Sequence, residues 1–164
     1  MPILTTDILY RLSGGAANST QSASLGGAKS SNAATAAIFD DVSSAESSAG
    51  DIEYRCIYVH NNHGSLSLNN AVLWLPVNTP SASTVVEAGL GTSAINATEQ
   101  TVADENTAPS GVTFAAAATK GAGVALGNIP AGQHRAVWLR RTVTAAAAAA
   151  SDSFTIRVEG DTAA

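Results

Sequence analysis

From residue 51 onward, the chain carries short runs in which apolar and polar side chains alternate. In the run 51–60, Tyr54, Cys56 and Tyr58 share one face of a strand, while Glu53 and Arg55 share the other. Aromatic and β-branched residues in a period of two are typical of β-strands. Further runs of this kind are 66–78, 84–90, 112–114, 124–133, 134–144 and 154–160.

Turn residues separate these runs, and no helical periods alternate with them. Strands without intervening helices favour antiparallel sheets. The sequence therefore predicts an all-β fold, an antiparallel Ig-like β-sandwich of about seven strands over residues 51–164.

The connections between strands give a second set of predictions. The turn signal 61–64, which reads Asn-Asn-His-Gly, predicts a β-hairpin that joins 51–60 to 66–78. The pair Asn69-Asn70 indicates a bulge or a bend inside the second run. The six alanines at 145–150 are too few for a stable isolated helix and lie between two strand-like runs. We therefore interpret them as a hairpin connection.

The first 50 residues have a different composition. Of the 164 residues in the chain, 33 are alanine, and residues 13–50 hold 10 serines, 10 alanines and 5 glycines. Such a stretch offers little to bury, so residues 1–50 are predicted to be an extended N-terminal arm or a linker, in which the mixed apolar and polar residues 3–12 form a strand or a docking segment. As an arm, it would order against a partner and complete the strand edge of a neighbour. The candidate partner contacts in it are Leu9, Tyr10, Arg11, Leu12, Leu25, Ile38 and Phe39.

Charge and cysteine content exclude several classes of protein. The chain has eight scattered Lys and Arg residues and a net charge of −5, which disfavours a nucleic-acid partner. No apolar run approaches the roughly 18 residues of a membrane span, and no signal peptide is expected. The single cysteine, Cys56, allows no internal disulfide and fits a reducing compartment.

No pattern in the chain predicts an active site, a metal site or a cofactor. His60 and His63 lack further metal ligands nearby in the sequence, and the acidic cluster at Asp104 lacks the spaced oxygen ligands of a calcium loop. Trp74 and Trp138 lie inside strand-like runs, where packing is a commoner role than ligand stacking. We therefore expect a protein that is not an enzyme.

The pair Arg140-Arg141 is the remaining candidate. Adjacent residues of a strand point to opposite faces, so one arginine shares the face of Val137 and Leu139. An arginine at the edge of a core face commonly pairs with a carboxylate, and it also serves as an interface hot spot. Both arginines are therefore added to the candidate partner contacts.

Several segments together resemble a known group of proteins. They read LYRLSGG (9–15), SLGG (24–27), EYRCIYVHN (53–61), EAGLGTSAINATEQTVADENTAP (87–109), LGNIPAGQHRAVWLRRTV (126–143) and FTIRVEGDT (154–162). Over most of its length, the chain is similar to small structural proteins of tailed bacteriophages and prophages. The group has no textual active-site signature, so no catalytic residue is carried over.

The resemblance implies a virion component, and in particular a minor capsid or head decoration protein with a β-sandwich fold. It would be made in the bacterial host cytoplasm and lie on the capsid exterior, bound to the major capsid protein and to copies of itself, with a homotrimer favoured. The alternatives are an accessory protein of the neck, tail or baseplate, and a glycan-binding virion adhesin. Under the arm prediction, a chain without residues 1–50 would stay folded but would not assemble.

Overall fold

The computed structural model describes residues 2–35, 37–146 and 152–162, and these form an antiparallel β-sandwich. Seven strands have five or more residues. They are β1 (Ile8–Leu12), β3 (Asp51–Asn61), β4 (Leu68–Val77), β5 (Thr84–Leu90), β8 (Val124–Ile129), β9 (His134–Val143) and β10 (Thr155–Thr162). The shorter strands are β2 (Gly26–Gly27), β6 (Glu99–Thr101) and β7 (Phe114–Ala115). The predicted all-β fold is confirmed.

The strands form two main sheets and a small third one. A five-stranded sheet has the order β1-β3-β9-β5-β7, and a three-stranded sheet has the order β10-β4-β8. The two-stranded sheet β2-β6 is not hydrogen-bonded into either of them and packs on β3 of the large sheet, where the hydroxyl of Tyr58 donates to the carbonyl of Gly27. The pairing of β3 with β9 runs without a shift from Asp51–Val143 to His60–His134, so these two strands are the centre of the large sheet.

The predicted hairpins are wrong. β3 and β4 lie in different sheets, and so do β9 and β10. The turn at 61–64 therefore connects two different sheets. The connection that includes the alanines at 145–150 also joins different sheets. Of these alanines, residues 147–150 lie outside the described part of the chain. Antiparallel neighbours in this sandwich are distant in sequence, a pairing that the length of a turn does not reveal.

The bulge predicted at Asn69-Asn70 is confirmed, and it changes which side chains face inward. Asn70 has a φ of 49°, and the pairing register shifts between Leu68 and Ala71. An extra residue in a strand reverses the alternation beyond it. As a result, Leu73 faces the core after the bulge, whereas Trp74 lies beneath the guanidinium of Arg157.

Apolar side chains are buried on both faces of the five-stranded sheet. The inner core lies between the two main sheets and includes Ile57, Val59 and Leu139. A second, outer core on the opposite face includes Tyr58 and Trp138. The loops 13–30 and 91–113 cover this outer face, so β3 is a strand with two buried sides.

Residues 2–50, where described, pack on the sandwich, and the predicted extended arm differs from the structure in this respect. β1 is a strand of the large sheet, paired with β3 from Ile8 to Leu12, which agrees with the strand alternative for residues 3–12. The small serine side chains of this segment are buried, and hydrogen bonds rather than apolar packing hold them in place. The hydroxyl of Ser13 donates to the carbonyl of Cys56 at 2.8 Å, and that of Ser30 donates to the carbonyl of Asn18 at 2.6 Å. The first bond holds the Ser- and Ala-rich stretch against β3, and the second joins two parts of that stretch to each other.

Candidate functional site

The two ends of the sandwich differ in the charged groups that they carry. We call the end where β3, β5 and β10 begin the carboxylate end, because Asp40, Asp51, Glu105 and Asp152 lie there. The opposite end, where His60 near the end of β3 pairs with His134 at the start of β9, is the histidine end. Both ends are built on the same pair of strands.

A buried network of ion pairs lies at the carboxylate end. Arg141 on β9 donates to the carboxylate of Glu53 on β3 and, at 2.5 Å, to the carbonyl of Asp40. Arg55 pairs with Glu105 and lies 3.5 Å from the carboxylate of Asp40. The side chains of Glu53 and Arg55 are each 1% exposed, so each charge requires its partner.

An aromatic ring packs against this network. The guanidinium of Arg141 lies 5.0 Å from the ring centre of Phe39, and that of Arg55 lies 5.8 Å from it. Burial raises the pKa of the Glu53 carboxyl to about 7, and Arg141 beside it opposes that effect. Phe39 also meets the ring of Phe154, with ring centres 6.2 Å apart. The N-terminal segment is thus tied to β3, β9 and the residue before β10.

A groove of about 950 Å³ opens beside the network. It lies between the five-stranded sheet and the start of β10, and residues 37–44 run along it. Its apolar lining includes Tyr10, Val86 and Phe154, and its polar lining includes Asp41 and Asp152. This mixture provides a concave surface with carboxylates at its rim.

Large exposed hydrophobic side chains concentrate at the same end. In the described part of the chain they are Leu4, Val42, Ile52, Val77 and Val85. All except Leu4 lie at the carboxylate end, where β4 finishes at Val77 and β3 and β5 begin. Ile52 and Val85 both pair with Thr142, so they form one row across the outer face of the sheet. Clustered exposed apolar side chains are a feature of interaction surfaces.

The histidine end has cations without carboxylate partners within 4 Å among the described residues. Arg11 donates to the carbonyl of Ser31 at 2.7 Å, and Arg135 donates to that of Ser93 at 2.6 Å. Burial and the charge of Lys29 lower the pKa of His134 to about 4. The rings of His134 and its cross-strand neighbour His60 lie edge to face, 6.5 Å between centres.

The candidate partner contacts of β1 lie in different parts of the structure. Leu9 and Arg11 lie on the outer face of the large sheet, and both are half-buried. Tyr10 lines the groove, and burial raises the pKa of its hydroxyl to about 12. Leu12 is 1% exposed in the inner core. Their role as contacts to another chain stays a prediction.

The other candidates contact their own chain. Ile38 and Phe39 belong to the inner core, and Leu25 packs on the outer core. Arg140 pairs with Glu87 on the outer face, and the Arg141 guanidinium is bonded to Glu53. The expectation that an arginine of this pair meets a carboxylate is confirmed.

The weaker candidates have structural roles. His63 accepts hydrogen bonds from the backbone of residues 65 and 66 at its Nδ1. Asp104 accepts from the amide of Asn106 at 3.1 Å, as in an Asx turn. Trp74 and Trp138 are 7% and 0% exposed. These side chains stabilise turns and packing.

Sequence reasoning missed the buried network and the hydrophobic surface. Glu53 and Arg55 occupy the same face as Ile57, and this alternation was the available signal that both charges are buried. Their partners could not be identified in the same way, because Arg141 is 88 residues from Glu53 and Glu105 is 50 residues from Arg55. The described residues include no helix that is long and apolar enough to cross a membrane.

No protein-family model, curated protein or solved structure matches this chain.

Proposed function

We propose that this protein is a non-enzymatic structural component of a bacteriophage virion that docks on the capsid exterior as a decoration or minor capsid protein. The observation that carries the proposal is the carboxylate end, which holds four of the five large exposed hydrophobic side chains of the described residues. Such a surface suits a protein partner, because apolar contacts provide binding energy and the charges around them set specificity.

The chemistry of this end supports a partner surface of complementary chemistry. Asp41 and Asp152 line the groove beside the exposed Val42. The complementary surface of the major capsid protein would present apolar side chains flanked by Lys or Arg. Copies arranged as a homotrimer would add weak contacts to one another, so that many copies bind together by avidity.

A phage component of this kind is tested by its copy number and its place in the particle. The protein should copurify with DNA-filled heads that lack tails, with on the order of hundreds of copies per head. A copy number of about six or twelve, retained with tails, would instead support the neck, tail or baseplate. Absence from purified virions would contradict both assignments, and a positive glycan array would then support the adhesin alternative.

The docking surface is tested separately with a double variant, Val77→Asp and Val85→Asp. Both side chains are exposed, so the variant should keep the fold and the thermal unfolding of the wild type. It should bind undecorated heads at least tenfold more weakly, since charges replace apolar contacts. Leu4→Asp, at the histidine end, is the matched control and should bind as the wild type does. Equal binding by all three proteins would exclude the carboxylate end as the docking surface.

A further inference from the structure

Three carboxylates meet at the carboxylate end, and Glu53 is the one of them that is paired with a cation among the described residues. Oxygen atoms of Glu46, Asp51 and Glu53 all lie within 4.8 Å of one another. Glu46 comes from the helix α1 (Ser44–Ala49), Asp51 begins β3, and Glu53 points inward from the same strand. Three negative groups at this spacing repel one another unless a positive charge lies among them.

Each carboxylate has one oxygen that is held by a donor outside the group. The backbone amide of Ser43 donates to Oε2 of Glu46 at 2.6 Å. The side-chain amide of Asn106 donates to Oδ1 of Asp51 at 2.8 Å. Oε2 of Glu53 receives the guanidinium of Arg141. These donors position the three carboxylates, and Oε1 of Glu53 has no hydrogen-bond partner among the described residues.

The second oxygen of Glu53 is a further, independent observation. The side chain is 1% exposed, and Oε1 is buried without a hydrogen-bond partner among the described residues. A buried carboxylate oxygen without a partner is destabilising, and more so when the group is charged. A cation bound beside it would remove that cost.

A neighbouring group of carboxylates does not share these properties. Asp40, Glu53 and Glu105 also come within 4.8 Å of one another, but Arg55 lies against both Asp40 and Glu105. In that group all three carboxylates are paired with a guanidinium, since Glu53 is bonded to Arg141. For Glu46 and Asp51, in contrast, no Lys, Arg or His of the described residues lies within 4 Å.

We propose that Glu46, Asp51 and Glu53 bind one divalent cation, with Ca²⁺ preferred. Carboxylate oxygens are hard ligands, and Ca²⁺ accepts mono- or bidentate carboxylates completed by water in a flexible shell. A site with three carboxylates, partly open to solvent, matches the weaker calcium sites, whose Kd is roughly 10⁻⁴–10⁻³ M. The ion would join α1 to the first residues of β3.

The experiment is a calorimetric titration of the full chain with CaCl₂, accompanied by thermal unfolding with and without about 10 mM Ca²⁺. The wild type should bind one Ca²⁺ and unfold at a higher temperature in its presence. Glu46→Gln and Asp51→Asn should each weaken binding at least tenfold and lose most of the thermal shift. Both residues are partly exposed, so these variants should fold without the ion.

Asp41→Asn is the matched control, because Asp41 is an exposed carboxylate at the same end outside the group. It should bind Ca²⁺ as the wild type does. The proposal is overturned if the wild type shows neither binding heat nor a thermal shift, or if Glu46→Gln and Asp51→Asn bind as tightly as Asp41→Asn. A response to Mg²⁺ equal to that to Ca²⁺ would overturn the calcium preference. Either result leaves the capsid proposal standing, since that one rests on the exposed apolar side chains.

Discussion

The carboxylate end and the histidine end lie on the same two strands, but their arginines have different kinds of partner. At the carboxylate end, Arg141 and Glu53 are both buried and face each other directly. At the histidine end, Arg11 and Arg135 donate to backbone carbonyls instead of carboxylates. One end therefore depends on keeping its ions paired, and the other depends on keeping its histidines neutral.

This difference indicates at which end a single substitution should reduce the stability of the fold most. A buried ion pair contributes little net stability, yet the loss of one partner leaves an uncompensated charge. A hydrogen bond to a carbonyl is worth only about 1 kcal/mol, and its loss is tolerated. We therefore expect single substitutions to separate the two ends by the size of their effects and by their dependence on pH.

Deletion of residues 1–50 is the largest perturbation, because it removes parts of both ends. Leu12, Ile38 and Phe39 are buried in the inner core, and the loss of each large buried side chain costs about 2–5 kcal/mol. Their sum is comparable to the whole stability of a domain, about 5–15 kcal/mol. The truncated chain should therefore show no cooperative thermal unfolding by circular dichroism.

Leu4→Ala is the control for this deletion, since Leu4 is 54% exposed and its truncation should change stability by less than about 0.5 kcal/mol. A truncated chain that unfolds cooperatively would support the arm predicted from composition. It would also show that the ends assemble without the N-terminal segment.

Arg141→Met is the next largest change and addresses the carboxylate end alone. It leaves Glu53 buried without its cation, so the free energy of unfolding should fall by about 3–5 kcal/mol in urea titrations. Arg135→Met at the histidine end removes a hydrogen bond to a carbonyl and should cost about 1 kcal/mol. Lys120→Met, which removes an exposed ion pair, should cost less than about 1 kcal/mol. Equal losses for Arg141→Met and Arg135→Met would remove the proposed distinction between the ends.

The existence of the strands could be predicted from sequence, but their partners could not. Alternation of apolar and polar side chains is a local property of the sequence. In β10 and the residue before it, the predicted period of two is seen in Phe154, Ile156 and Val158, which all pack on the inner core. Pairing depends on contacts between distant residues. The central pair β3 and β9 is far apart in sequence, whereas β4, which directly follows β3, lies in the other sheet.

The N-terminal segment and the site show a second limit. From composition, a serine-rich segment is expected to be flexible and exposed. Ser13, Ser24 and Ser30 are nevertheless fully buried, and the hydroxyls of Ser13 and Ser30 donate to backbone carbonyls. Hydrophobic patterning does not detect this kind of burial. It does indicate that Glu53 shares the core face with Ile57, but only the three-dimensional pairing brings Arg141 to it.

The smallest expected effect is a dependence of stability on pH that comes from the histidine end. Burial and Lys29 lower the pKa of His134 from 6.5 to about 4 in the folded state. Between these values the unfolded chain binds the proton and the folded chain does not. Stability therefore falls as pH decreases from about 6.5 toward 4 and is unaffected by this group at higher pH. Since the ring is partly exposed, the loss from pH 6.5 to pH 5 should be about 1 kcal/mol.

The comparison of the wild type with His134→Gln isolates this effect. Glu53 has a raised pKa and changes stability in the opposite direction, but it lies at the other end and affects both proteins equally. Glu99, near Tyr58, would have its pKa raised by burial alone, yet hydrogen bonds from Ser93 and Thr92 lower it to about 2, so it stays ionised throughout the range. The variant should lose less stability than the wild type between pH 6.5 and pH 5.

Lys29→Gln makes the test specific to the charges at this end. Lys29 is the second cause of the lowered pKa of His134, after burial, and it also lowers the pKa of His60. Its removal should raise the pKa of both imidazoles, measured by NMR titration, and should weaken the pH dependence of stability. A wild-type His134 pKa at or above 6.5, or an unchanged value in Lys29→Gln, would show that the histidine end is not held neutral by its neighbours, and the contrast with the ion-paired carboxylate end would then fail.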